Sequence, residues 1–319
     1  NLATMFTIQT AVTIVTAGLA SSLFGITDNM VVWSLIIIIM CYIMLLLGKY
    51  QILDKIIKVI ILILAISTIF STGVASINTD EVYSFKQIFP SGSGLVFLVA
   101  FMGWMPAPLD ISIWHSIWTL EKKKSQKITA KESLFDFNVG YLATVILGIC
   151  FVSLGALVMY NSGISFSNSG SIFAGQLIDL YTSNLGDGFY LIISICAFTT
   201  MLSTTITCLD ASPRTMSRAT QLLTKNNDKN YYFHWISALA IGTMLIFYFL
   251  LSEMGALVEL ATVLSFITAP FYAILNYKLI MSDNMPKSHK PSKNLRILSV
   301  TGIFFLSFFA LGYILTRFI

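Results

Sequence analysis

The sequence predicts an all-α polytopic membrane protein with one discontinuous helix, on three observations. Apolar residues make up 56% of the chain, charged residues only 11%, and the mean hydropathy is +0.81, values outside the range of soluble domains. Apolar runs close to the roughly 20 residues that a spanning helix needs recur along the whole length. One of them, from Gly94 to Trp118, is interrupted by the stretch FMGWMPAPLDISIWHS at 101–116. Too little chain is left between runs for a soluble domain, so residues 1–319 read as a single transmembrane domain.

Nine runs follow one another: Thr4 to Ile26, Val31 to Leu47, Ile56 to Val74, Gly94 to Trp118, Phe137 to Tyr160, Phe189 to Leu209, Tyr232 to Leu251, Ala256 to Ile280 and Leu298 to Arg317. Lys and Arg gather on the cytoplasmic side of a membrane. Here they follow every second run: Lys49, Lys55 and Lys58, then Lys122, Lys123, Lys124, Lys127 and Lys131, then Arg214, Arg218, Lys225 and Lys229, then Lys278, Lys287, Lys290, Lys293 and Arg296. Only Lys86 and Arg317 fall on the opposite side. The alternation places the first residue in the cytoplasm and the last outside a cytoplasmic (inner) membrane. It also makes the net charge of +4 a topology signal, with no nucleic-acid partner implied. The cysteines, at 41, 150, 196 and 208, lie within apolar runs at no ligand spacing and read as buried thiols.

The interrupted run carries the strongest site signal. Proline has no N–H, so Pro106 deprives the Met102 carbonyl of its helical donor and Pro108 does the same to Trp104, while Gly103 eases an unwound backbone. Free carbonyls at this depth are tolerated only against protein or a wet cavity, and transporters use such discontinuous helices to coordinate ions near the midplane. The competing reading is a plain proline kink whose second half-helix is capped by Asp110. Asp110 and His115 are five positions apart and do not share a helix face. His115, close to the lysine-rich loop, reads as a wetted or interfacial residue. The two are candidates for a proton or cation role.

Other polar positions follow the same weighing. Thr199, Ser203 and Thr207 recur every four residues, with Thr200 and Thr204 alongside, a stripe suited either to close helix packing or to lining a cavity. Thr268, beside Pro270, is a further lining candidate. Asp210 and Arg214, one turn apart, are expected to pair, helped by a break at Pro213, and to act as a gate or anchor. Glu259, one turn into the eighth run, is an outer-gate candidate. Asp136 and Asn138 are expected to cap the fifth helix.

In this order the features resemble the Nramp family of divalent-metal transporters, starting at that family's third helix. ATMFTIQTAVTIVTAG is similar to the third helix, LLLGKYQILDKIIKVIILILAIS to the fourth and fifth, FMGWMPAPLDISIWHS to the broken sixth, SNLGDGFYLIISICAFTTMLSTTIT to the seventh-eighth loop and eighth helix, and ATVLSFITAPFYAI to the tenth. The resemblance implies a LeuT-type inverted-repeat helical bundle working by alternating access, with the metal as transported substrate and no cofactor. By position it makes the Met105 thioether and the Met102 backbone carbonyl metal ligands. A soft sulfur favours manganese, iron or related ions over magnesium and calcium.

The sequence also departs from the pattern. The family's Asp-Pro-Gly-Asn motif on its first helix has no counterpart, and the chain reads as a fragment that lacks the family's first two helices. Met-Pro is followed by Ala107 and Pro108 where the family has histidine first, and Ser112 stands at its second histidine. The third-helix acidic residues of the proton route fall near the apolar Met5 and Ile8. These losses speak against the family's usual proton route. Asp110 is a candidate to replace the missing histidine as the titratable group; otherwise the chain is an uncoupled or differently coupled member of the family, and the coupling ion, proton or sodium, stays open. The alternative is a LeuT-type carrier of an amino acid or other small organic solute. An intramembrane enzyme would need paired membrane aspartates or a zinc-binding HExxH, and the sequence has neither.

Overall fold

The computed structural model describes the chain except for residues 48–49, 79–87, 126, 128, 161–166, 168–169, 227–228, 251–253 and 319. Lys49, Lys86 and Leu251 therefore lie outside the described residues. Eleven α-helices occur among those described: α1 (Leu2–Phe24), α2 (Met30–Leu46), α3 (Tyr50–Asn78), α4 (Ser93–Trp104), α5 (Ile111–Ser125), α6 (Ala130–Leu154), α7 (Gly170–Leu185), α8 (Tyr190–Thr224), α9 (Tyr232–Leu250), α10 (Met254–Met281) and α11 (Lys293–Phe318). Among the described residues seven helices are long and apolar enough to cross a membrane, and α2 and α4 are shorter apolar helices. The protein is a polytopic helical membrane protein.

Local chemistry sets the boundaries. α1 ends at Gly25, whose left-handed backbone (φ 62°) returns its N–H to the Ser21 carbonyl at 2.9 Å. Asn29 then caps α2 by accepting from the Val31 and Val32 amides, and the Trp33 indole closes the corner on the Thr27 carbonyl at 2.8 Å. α6 starts with a capping box, in which the Thr129 hydroxyl accepts from the Glu132 amide and the Glu132 carboxylate from the Thr129 amide. This corrects the expectation for Asp136 and Asn138, which lie two turns inside the helix. Thr129 wins because its side chain reaches the first free amides, which theirs cannot.

α1 is the central element. It packs against α2, α7, α8, α9 and α10, and most of it is buried. One apolar core joins Met5, Ala17 and Ala20 of α1 to Trp33, Ile37, Ile38 and Cys41 of α2, Leu202, Ile206 and Leu209 of α8, and Ile236, Leu239 and Ala240 of α9. α6 and α11 bury little and present apolar side chains outward, as lipid-facing helices do. α7 was not expected from the sequence. Ala174, Ile178, Leu180 and Tyr181 seal it against Leu19 of α1 and Ile193 of α8. All four cysteines are unpaired thiols.

Candidate functional site at the helix break

The chain leaves the helix at Trp104 and re-enters it at Ile111. Met105 is extended (φ −111°, ψ 122°), its N–H still bound to the Phe101 carbonyl at 2.9 Å, and the Met105–Pro106 peptide is cis. Beyond it Pro106 and Pro108 offer no N–H to the carbonyls of Met102 and Trp104. α5 is then started by Ile111, Ser112 and Ile113, whose amides donate to the carbonyls of Pro108, Leu109 and Asp110 at 3.0–3.3 Å.

α10 straps the two half-helices together. On the α4 side the Trp104 indole donates to the Ser265 hydroxyl at 3.1 Å, and on the α5 side the Asn276 amide donates to the Ser112 hydroxyl at 3.0 Å. Between these ties lies Pro270, inside α10. Gly103 belongs to the last helical turn of α4 and not to the unwound segment. A Cβ there would overlap the Thr262 carbonyl oxygen and lie 3.3 Å from the Phe266 Cβ, so glycine is required for backbone contact between α4 and α10.

The side chains at the break divide into two groups. Met105 is half-buried and turns its thioether methyl onto Gly148 of α6. Asp110, the residue before α5, is only 4% exposed, and its enclosed Oδ1 accepts no hydrogen bond among the described residues. The Trp114 indole N–H, one turn on, is likewise unpartnered there, in a cluster with Ile8, Val12, Cys208 and Ala211. Cys208 and Tyr272 are within electrostatic reach of the Asp110 carboxyl. An acceptor enclosed this way is costly unless it holds a proton, a water or a cation. His115 stands edge-on to Phe137 of α6, ring centroids 5.6 Å apart.

A second polar centre sits where α5, α8 and α9 meet. Asp210 Oδ2 accepts from Arg214 Nε at 2.7 Å and from the Trp118 indole at 3.2 Å, while Oδ1 accepts from the Tyr232 hydroxyl at 2.6 Å. The guanidinium also lies over the Tyr232 ring, 5.0 Å from its centre. The expected break at Pro213 is absent, since α8 runs through it to Thr224. The i, i+4 spacing alone brings Asp210 and Arg214 together.

Two hydroxyls of the α8 stripe are hydrogen-bonded along their own helix. Thr199 and Thr204 return their protons to the carbonyls of Ile195 and Thr200, while the buried Thr200 hydroxyl has no partner among the described residues. Ser203 and Thr207 are half-buried. The residue that sequence reading missed is Thr205. Its hydroxyl is hydrogen-bonded to that of Thr16 at 2.8 Å, and its carbonyl accepts from the Gln9 amide at 3.3 Å. Gln9, Thr13 and Thr16 form a buried polar seam on α1, and the Gln9 Oε1 is also unpartnered among the described residues. Their spacing of four and three could have revealed it. Thr268 returns its proton to the carbonyls of Leu264 and Ser265, and Glu259 is exposed on α10. Among the described residues no three His, Cys, Asp or Glu side chains converge on a metal-sized site.

The fold and site thus define a multi-pass helical membrane protein with a discontinuous helix strapped to an intact one. A model of the Nramp family, described as natural resistance-associated macrophage protein-like, matches residues 1–316, and the chain belongs to that family. It is 33% identical over 277 residues, 85% of its length, to an uncharacterized protein of Pasteurella multocida (strain Pm70). The chain spans 63% of the length of that relative.

Proposed function

We propose that this chain belongs to a secondary transporter that carries divalent transition-metal cations across the cytoplasmic membrane by alternating access. The observation that carries the reading is the break itself: in a member of the Nramp family, a proline-freed carbonyl at Met102 and a thioether at Met105 lie within one turn, in a segment held to the fold at both ends. The metal is the substrate, manganese- or iron-like because sulfur is a soft donor. No enzymatic chemistry and no cofactor are needed.

In this reading α1, α2, α8 and α9, joined by one apolar core, are the static scaffold. The broken helix moves against them, and the Asp210 centre is the cytoplasmic latch, because Trp118 on α5 donates to a carboxylate on α8. The hydroxyls of α8 and Thr268 flank the pathway, and Glu259 stands at its outer end. Asp110 holds the coupling cation or proton, with Trp114 beside it. Met105→Ala and Asp110→Asn test the assignments in liposomes loaded with a metal-sensitive dye. Manganese influx drops in the first and loses its pH or sodium dependence in the second. Asp110→Asn with uptake and ion dependence both unchanged would remove Asp110 from the mechanism.

A further inference from the structure

We infer that Gly148 is a positioning residue for the Met105 thioether, and that the seat it forms sets how strongly the site prefers soft over hard divalent cations. The inference rests on Met105 being a metal ligand. Met105 lies at the end of α4 in extended backbone, so no further turn of its own helix holds the side chain. A methionine has three rotatable bonds and adapts to whatever surface it meets. The surface it meets is Gly148, which is buried in the middle of α6 while Val145, Ile146, Ile149 and Val152 around it are exposed. Glycine is a poor helix former, so its place in a long helix asks for a reason. A Cβ at 148 would overlap the Met105 methyl carbon and lie 3.4 Å from the sulfur, whereas Gly140 of the same helix has nothing within 4 Å.

The methyl carbon therefore lies between the sulfur and α6. A thioether's lone pairs point away from its two carbon substituents, so this seat turns them away from α6 and fixes the orientation of the Met105 sulfur. A side chain at 148 unseats the methyl and rotates the lone pairs. Because the displaced atom is the free end of a flexible chain, the helix itself is spared.

The test uses the full-length transporter in liposomes, with cadmium competing against manganese uptake as the measure of softness. Carbon-13 labelling of methionine methyl groups reports the Met105 rotamer. Gly148→Ala is expected to move the Met105 methyl resonance and to weaken cadmium competition by about three- to tenfold, the effect of forcing a side chain from its rotamer well. It is expected to add nothing in a Met105→Ala background. An unmoved resonance overturns the seat. A moved resonance with normal cadmium competition overturns the selectivity role if Met105→Ala alone weakens competition. If Met105→Ala has no effect either, Met105 is no ligand, and the selectivity role falls with that reading.

Discussion

Gly103→Ala is the sharpest perturbation of the strap between the broken helix and α10. The added methyl would overlap the Thr262 carbonyl oxygen, lie 2.9 Å from its carbon and 3.3 Å from the Phe266 Cβ. Two of these atoms are backbone and cannot rotate away, so the change belongs near the upper end of the 1–3 kcal/mol typical of overpacking. Alanine returns up to about 1 kcal/mol as the better helix former. The net cost is about 1–2 kcal/mol, a fall in Tm on the order of 5 °C for a chain of this size. Gly73→Ala is the control, since Gly73 lies within α3 with nothing within 4 Å of a Cβ, and the helix gain alone should raise Tm slightly. The assay is thermal unfolding of both purified variants in one detergent. If Gly103→Ala melts with or above the parent protein, α4 and α10 are not in backbone contact and the strap is wrong.

Other perturbations probe the remaining centres. Asp210→Asn leaves Arg214 without its carboxylate and is expected to cost about 1–3 kcal/mol, less than for a fully buried pair because the Arg214 side chain is 34% exposed; chemical or thermal unfolding reads it. In a double-mutant cycle, Trp118→Phe and Asp210→Asn should couple by about 1 kcal/mol, one net hydrogen bond; additive effects would separate α5 from the latch. Thr205→Val removes the hydroxyl bonded to Thr16 at near-constant shape and should cost about 0.5–1 kcal/mol, the usual worth of such bonds between membrane helices.

Composition and run length made the helical membrane class legible because bilayer thickness imposes one length on every spanning helix. The proline pair at 106 and 108 was legible for a similar reason, since a missing N–H acts locally whatever surrounds it. What tertiary packing decides was not legible. Gly103 looked like a loosening residue in one dimension and serves as a contact with Thr262 in three. Thr205 was not legible because it lies outside the every-fourth-residue stripe of 199, 203 and 207, and only the position of α1 selects which hydroxyl is buried. α7 was not legible because Gln176 and Asp179 interrupt its apolar run and it is shorter than a bilayer-spanning helix. Ser112 shows the reverse case: the resemblance marked the position, and the structure gives it a partner, Asn276, that no sequence spacing implies.

The central claim is that the break binds a transition metal in transit, and manganese influx into dye-loaded liposomes, with and without Met105→Ala in the full-length protein, tests it most directly. The account predicts saturable influx in the parent, competed by iron and cadmium ions and not by magnesium or calcium, and strongly reduced in the variant. Absence of influx with every transition metal tried, or influx indifferent to the loss of the Met105 thioether, would contradict it and favour a carrier of small organic solutes.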